Sequence, residues 1–133
     1  MNKQQIDEKI ARAYKSIAAC GLLEEQKLNS SYRGQIAALG AAIRQSSLLA
    51  ALAFFSNQKN ADVDQAKLLG CIYYILEKDE YEKESDTKNL KMNLFEKVQN
   101  KNFNEEDILQ AIIALKLAMN LYPLAKETGG YKQ

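Results

Sequence analysis

The run Tyr32-Arg-Gly-Gln-Ile-Ala-Ala-Leu-Gly-Ala-Ala-Ile-Arg-Gln-Ser-Ser-Leu-Leu-Ala-Ala-Leu-Ala-Phe-Phe55 decides the fold. Alanine and leucine dominate it, and both favour helix. Tyr32, Ile36, Leu39 and Ile43 recur at spacings of three and four, the mark of an amphipathic helix. That helix is expected to begin near Glu25 and to carry Leu28 on the same stripe. Ser46 or Ser47 then offers a cap for a further helix, Leu48 to Ser56. Leu48, Leu49, Leu52, Ala53, Phe54 and Phe55 make that helix apolar almost all round, so it should be buried.

The same run carries an electrostatic feature. No acidic residue occurs between Lys27 and Lys59, while Lys27, Arg33, Arg44 and Lys59 are basic. Arg33 and Arg44 are eleven residues apart, and eleven steps of about 100° return to within about 20° of the starting direction. On a continuous helix both guanidinium groups therefore point the same way, with Ala37, Gly40 and Ala41 between them on that side. A phosphate backbone or a partner helix could approach such a face closely.

Outward from this run the helical pattern continues. Ile6, Ile10, Ala13, Tyr14 and Ile17 predict a first helix from about Lys3 to Gly21, where glycine is a natural stop. Lys9, Arg12 and Lys15 lie off that stripe. Asp62 reads as the cap of a fourth helix carrying Val63, Ala66, Leu69, Ile72, Tyr73 and Leu76. A short fifth helix, about Thr87 to Gln99, carries Leu90, Leu94, Phe95 and Val98. Asn104 caps the last helix, with Glu105, Glu106 and Asp107 in the first turn, where the helix dipole favours them. Its stripe is Ile108, Ile112, Leu115, Met119 and Tyr122, widened by Leu109, Ile113, Leu117 and Leu121. Pro123 should end or kink it, and residues 128–133 read as a frayed tail.

With 133 residues, 47% of them hydrophobic and one proline, the chain suits a single domain with a real core. The expected fold is all-α: one helical domain over residues 1–133, a compact bundle of about six helices. Net charge is only +1, which argues against a strongly basic nucleic-acid binder, but the distribution is uneven. Residues 1–60 carry +4, residues 61–86 carry −5 and residues 87–133 carry +2. The acidic run from Glu77 to Asp86 reads as a solvated helix end and loop.

Several chemistries lack their parts. There is no histidine, which removes the commonest general base and metal ligand. Cys20 and Cys71 are far apart and sit in apolar helical pattern, as small buried hydrophobes would in a reducing compartment. No phosphate-binding Gly-rich loop with a Gly-Lys-Ser or Gly-Lys-Thr ending is present. No carboxylate falls in an apolar stripe, where burial would tune it for acid–base work. The expectation is a binding protein with no catalytic residue, no metal, no cofactor and no small-molecule substrate. No apolar run reaches membrane-spanning length and the N-terminus has no signal core, so the expected location is the cytoplasm.

The stretch from Tyr32 to Phe55 resembles the small helical subunit of the type III-B CRISPR effector, the Cmr complex. The residues that carry the resemblance are Tyr32, Ile43-Arg44, Leu48-Leu49 and Ala53-Phe54-Phe55, together with the long apolar last helix interrupted by Lys116. Two departures concern helix breaks. The family often has a proline near the place of Gly40 and a glycine where this chain has Ser47. The resemblance implies a non-enzymatic helical bundle that stacks along the crRNA–target RNA duplex and meets other effector subunits and copies of itself in antiviral defence. It makes Arg44 the first candidate for phosphate contact, followed by Arg33 and by Lys116, the lone charge in an apolar helix. Lys15, Lys59 and Lys126 are further candidates, each also readable as a plain solvated lysine. Tyr32, Phe54 and Phe55 read as core rather than as base-stacking platforms. The competing readings are the small subunit of the type III-A complex and a helical protein–protein adaptor that touches no nucleic acid.

Overall fold

The computed structural model describes residues 3–55, 64–76 and 94–125. Among the described residues six helices are seen: α1 (Lys3–Ala19), α2 (Ser31–Gln45), α3 (Leu48–Phe55), α4 (Gln65–Leu76), α5 (described over 94–99) and α6 (Glu105–Met119). They form the expected helical bundle, which carries in addition a small three-stranded sheet. α6 is its centre and packs against α1, α2 and α4. Its capping is as the sequence implied. The Asn104 side chain accepts from the Asp107 N–H at 2.9 Å, and the Asp107 carboxylate accepts from the Asn104 N–H at 2.9 Å. That reciprocal box satisfies two N-terminal donors at once.

Two elements differ from the reading of the sequence. α2 does not begin near Glu25. Residues Leu23–Glu24 (β1) and Lys27–Asn29 (β2) form a hairpin instead, turned by Glu25 and Gln26 at φ 53° and 67°. Both central residues are left-handed, the geometry that matches strand twist in a two-residue turn. Leu28 is buried, as expected, but in a strand. The second difference is that β2 also pairs in parallel with β3 (Leu124–Ala125), Leu28 opposite Leu124. The Leu28 N–H donates to the Pro123 carbonyl at 2.9 Å, so the chain after α6 is tied to the chain before α2.

Caps were placed nearly right. Ser47 caps α3, its hydroxyl accepting from the Ala50 N–H at 3.1 Å, while the Ser46 hydroxyl donates back to Ala42 at 2.8 Å. Asp64, not Asp62, caps α4 by accepting from the Ala66 N–H at 3.0 Å. Asp62, the 77–86 run, the first part of the fifth helix and the 128–133 tail lie outside the described residues. α3 is not buried all round. Ala51, Leu52 and Phe55 are buried, but Phe54 is 64% exposed, which corrects its reading as core.

α1 and α4 are clamped at both ends by cations from each other. α1 stops at Gly21 (φ 84°), with Leu22 N–H bonded to Ile17 O at 3.1 Å and Gly21 N–H to Ala18 O at 3.3 Å. Those two bonds make a Schellman stop. Lys67 of α4 then donates to the Gly21 carbonyl at 3.0 Å. At the far end Arg12 of α1 donates to the Tyr74 and Ile75 carbonyls of α4 at 2.6 and 3.1 Å, its guanidinium 5.0 Å from the centre of the Tyr74 ring. The last carbonyls of a helix are its negative end, so each cation sits where it is most useful.

α5 stops by the same Schellman bonds, Asn102 N–H to Lys97 O at 2.8 Å and Lys101 N–H to Val98 O at 3.0 Å. Here a lysine, not a glycine, occupies the left-handed position, at φ 67°. A side chain there costs about 1–2 kcal/mol. Glycine would relieve that cost, partly offset by its freer unfolded chain. Lys101→Gly is therefore expected to stabilise the protein by about 0.5–1 kcal/mol and to raise the thermal midpoint by about 2–4 °C in calorimetry. An unchanged or lowered midpoint would show that Lys101 is not strained.

Candidate functional site

Gly40 does not break α2, so the eleven-residue alignment of Arg33 and Arg44 holds. Both are exposed, about 16 Å apart along the axis at about 1.5 Å per residue. The surface between them is not as the sequence suggested. Ala37 and Ala41 are open, but Gly40 is buried. A Cβ there would stand 3.6 Å from Ile112 Cγ2, so α6 lies close against α2 at this glycine. The two arginines thus flank a helix–helix seam.

α6 runs antiparallel to α2 along that seam. The start of α2 and the end of α6 enclose a groove of about 420 Å³ lined by Ser30, Arg33, Gly34, Lys116, Leu117 and Asn120. Here the fold brings two of the candidate residues, Arg33 and Lys116, to one place. Neither they nor Arg44 pairs with a carboxylate among the described residues. Lys116 is exposed, on the solvent side of the apolar last half of α6. Arg44 belongs to the same α2 face but lies at the other end of the seam. Lys15 is exposed on α1 and outside the groove. Lys59 and Lys126 lie outside the described residues.

The local field favours an anion. α2 has no acidic residue in its first turn, whereas α6 has three. The positive end of α2 therefore borders the groove with no carboxylate in its first turn, the Asn29 side chain accepting from the Ser31 N–H at 2.8 Å. The end of α6 in the same groove is its negative end, and Lys116 in that last turn offsets it. Each helix end amounts to about half a charge, so the two cationic side chains dominate.

Ser30, Gly34 and Asn120 were not singled out in the sequence, and Leu117 was read only as part of the apolar stripe. No local pattern marks them, because the groove joins residues more than eighty positions apart. Exposed apolar side chains lie near it. Leu117 is 45% exposed and Leu121 62%, correcting the view that both merely widen the buried stripe. Tyr14 is also part-exposed and stacks on Tyr122 at 4.7 Å, with the Tyr122 hydroxyl donating to the Tyr14 carbonyl at 2.7 Å.

The remaining reactive groups are built into the core. Cys20 and Cys71 are buried free thiols. Burial pushes the Cys71 thiol well up from its ordinary range, and the Cys20 side chain hydrogen-bonded to it pushes the same way. A thiol so held is a poor nucleophile. The Tyr32 hydroxyl is raised chiefly by burial and accepts from the Asp64 N–H at 3.2 Å. Gln65, also buried, donates to Gln35 across α4 and α2. Among the described residues no group of three or more His, Cys, Asp or Glu could hold a metal ion, and no helix is long and apolar enough to cross a membrane.

A search of curated proteins and a search of solved structures each returned no match. A family model does match, the one described as CRISPR-associated protein (Cas_Cmr5), over residues 5–122. The matched span takes in every described helix except the first residues of α1, and with them the α2–α6 seam. The chain belongs to the Cas_Cmr5 family of CRISPR-associated proteins, as a small subunit of the type III-B complex.

Proposed function

We propose that the chain is a non-catalytic subunit of an RNA-targeting type III-B effector complex, stacked along the crRNA–target duplex in antiviral defence. Its place is the cytoplasm. It touches the phosphate backbone with Arg33, Lys116 and Arg44, and it needs no cofactor. The observation that carries this reading is the convergence of Arg33 and Lys116 on one groove, with Arg44 exposed further along the same helix. Cations at intervals of several ångströms on rigid helices suit phosphates, which set register and orientation without reading sequence. Family membership supports the type III-B complex over the type III-A one. The exposed Phe54, Leu117, Leu121 and Leu124 support contacts with neighbouring subunits or with copies of itself. They are also what a pure protein–protein adaptor would show, so the separating test is RNA.

Fluorescence anisotropy with a short RNA, from about 50 to about 200 mM salt, should show weak binding that falls as salt rises. Arg33→Ala/Arg44→Ala/Lys116→Ala should bind about tenfold more weakly at low salt and lower the log–log salt slope by about 2–3, close to one per lost phosphate contact. Circular dichroism should be unchanged, since all three side chains are exposed. A folded variant with the wild-type affinity and slope would leave the adaptor reading in possession.

A further inference from the structure

We infer that the groove between the start of α2 and the end of α6 receives one unstacked ribonucleotide, its phosphate between Arg33 and Lys116 and its base over Leu117. This deepens the proposed contact with RNA and rests on it. The argument is one of shape. A continuous duplex is convex and can only lie across a recess, touching the rim. A concave space of about 420 Å³ is filled only by a group that projects into it. That volume lies within the range of small-molecule sites. The lining matches a nucleotide part by part. Two cations at the walls suit a phosphodiester. The exposed Leu117 side chain suits the face of a base. Asn120 supplies an amide at the edge, where base edges and the 2′-hydroxyl hydrogen-bond. Gly34 keeps one wall low. A Cβ built there meets nothing within 4 Å, so the space beside it is open.

That open space provides the test. Gly34→Leu puts a side chain into the groove without a clash, favours the helix it sits on, and leaves every cation in place. Three RNA duplexes are compared on the full chain by anisotropy: one fully paired, one with a single bulged nucleotide, and one with an abasic bulge. The wild type should bind the bulged duplex about five- to tenfold tighter than the paired one, with the abasic bulge near the paired value. Gly34→Leu should bring the three within about twofold of one another. Equal binding of paired and bulged RNA by the wild type would overturn the inference and leave the backbone contact standing. A preference that survives Gly34→Leu would overturn it as well, by placing the bulge elsewhere. Absence of binding to any of the three at low salt would remove the contact itself, and the inference with it.

Discussion

Leu115→Ala is expected to destabilise the protein by about 3–4 kcal/mol. Leu115 has no exposed surface and lies on α6, the helix that packs against α1, α2 and α4. Removing three carbons from such a site loses their transfer free energy and leaves a cavity that three surrounding helices cannot all close. Against a typical total of about 5–15 kcal/mol the loss is large. Urea denaturation should show the midpoint falling with little change in slope. The companion measurement is Leu121→Ala. Leu121 is only six residues further on and equally apolar, yet it is 62% exposed. Its replacement should change stability by no more than about 0.5 kcal/mol. If the two variants behave alike, α6 is not the centre of the core.

Arg12→Ala should cost about 2–3 kcal/mol, an unusual value for a charged residue on a helix surface. The side chain makes two hydrogen bonds to the last carbonyls of α4 and lies near the Tyr74 ring. Hydrogen bonds from a charged donor contribute about 1.5–3 kcal/mol, and alanine would leave two part-buried carbonyls without this donor. The position at the negative end of α4 adds to the effect. Arg12→Lys should recover less than half. An ammonium keeps the charge but cannot span both carbonyls with a planar fork. Urea denaturation of the three proteins checks the order. A lysine variant as stable as the wild type would mean that charge alone matters here. The residue also bears on function, because it fixes α1 against α4 and so steadies two of the helices among which α6 is held.

The helical content, the heptad-like stripes and most of the caps were legible before any coordinates. These are local. A cap such as Ser47 or Asn104 bonds to a donor three residues away, and a stripe such as Ile36, Leu39 and Ile43 follows from the pitch of one helix. The hairpin at Glu25-Gln26 was not legible. Its strands are two and three residues long, too short to show alternation, and its turn carries neither glycine nor asparagine. Nor was the pairing of Leu28 with Leu124, which is set by where α6 delivers the chain.

The candidate interface divides in the same way. The common direction of Arg33 and Arg44 depends only on a helix being continuous, so the spacing was enough. That Lys116 faces the same groove as Arg33, and that Gly40 turns inward to let α6 approach, depends on how two helices far apart in the chain pack against each other. Exposure was equally beyond the pattern. Leu115 and Leu121, or Phe55 and Phe54, are alike in chemistry, and only the arrangement of neighbouring helices leaves one of each pair in water. Periodicity reports which way a side chain points from its own helix; tertiary packing decides what, if anything, stands in front of it.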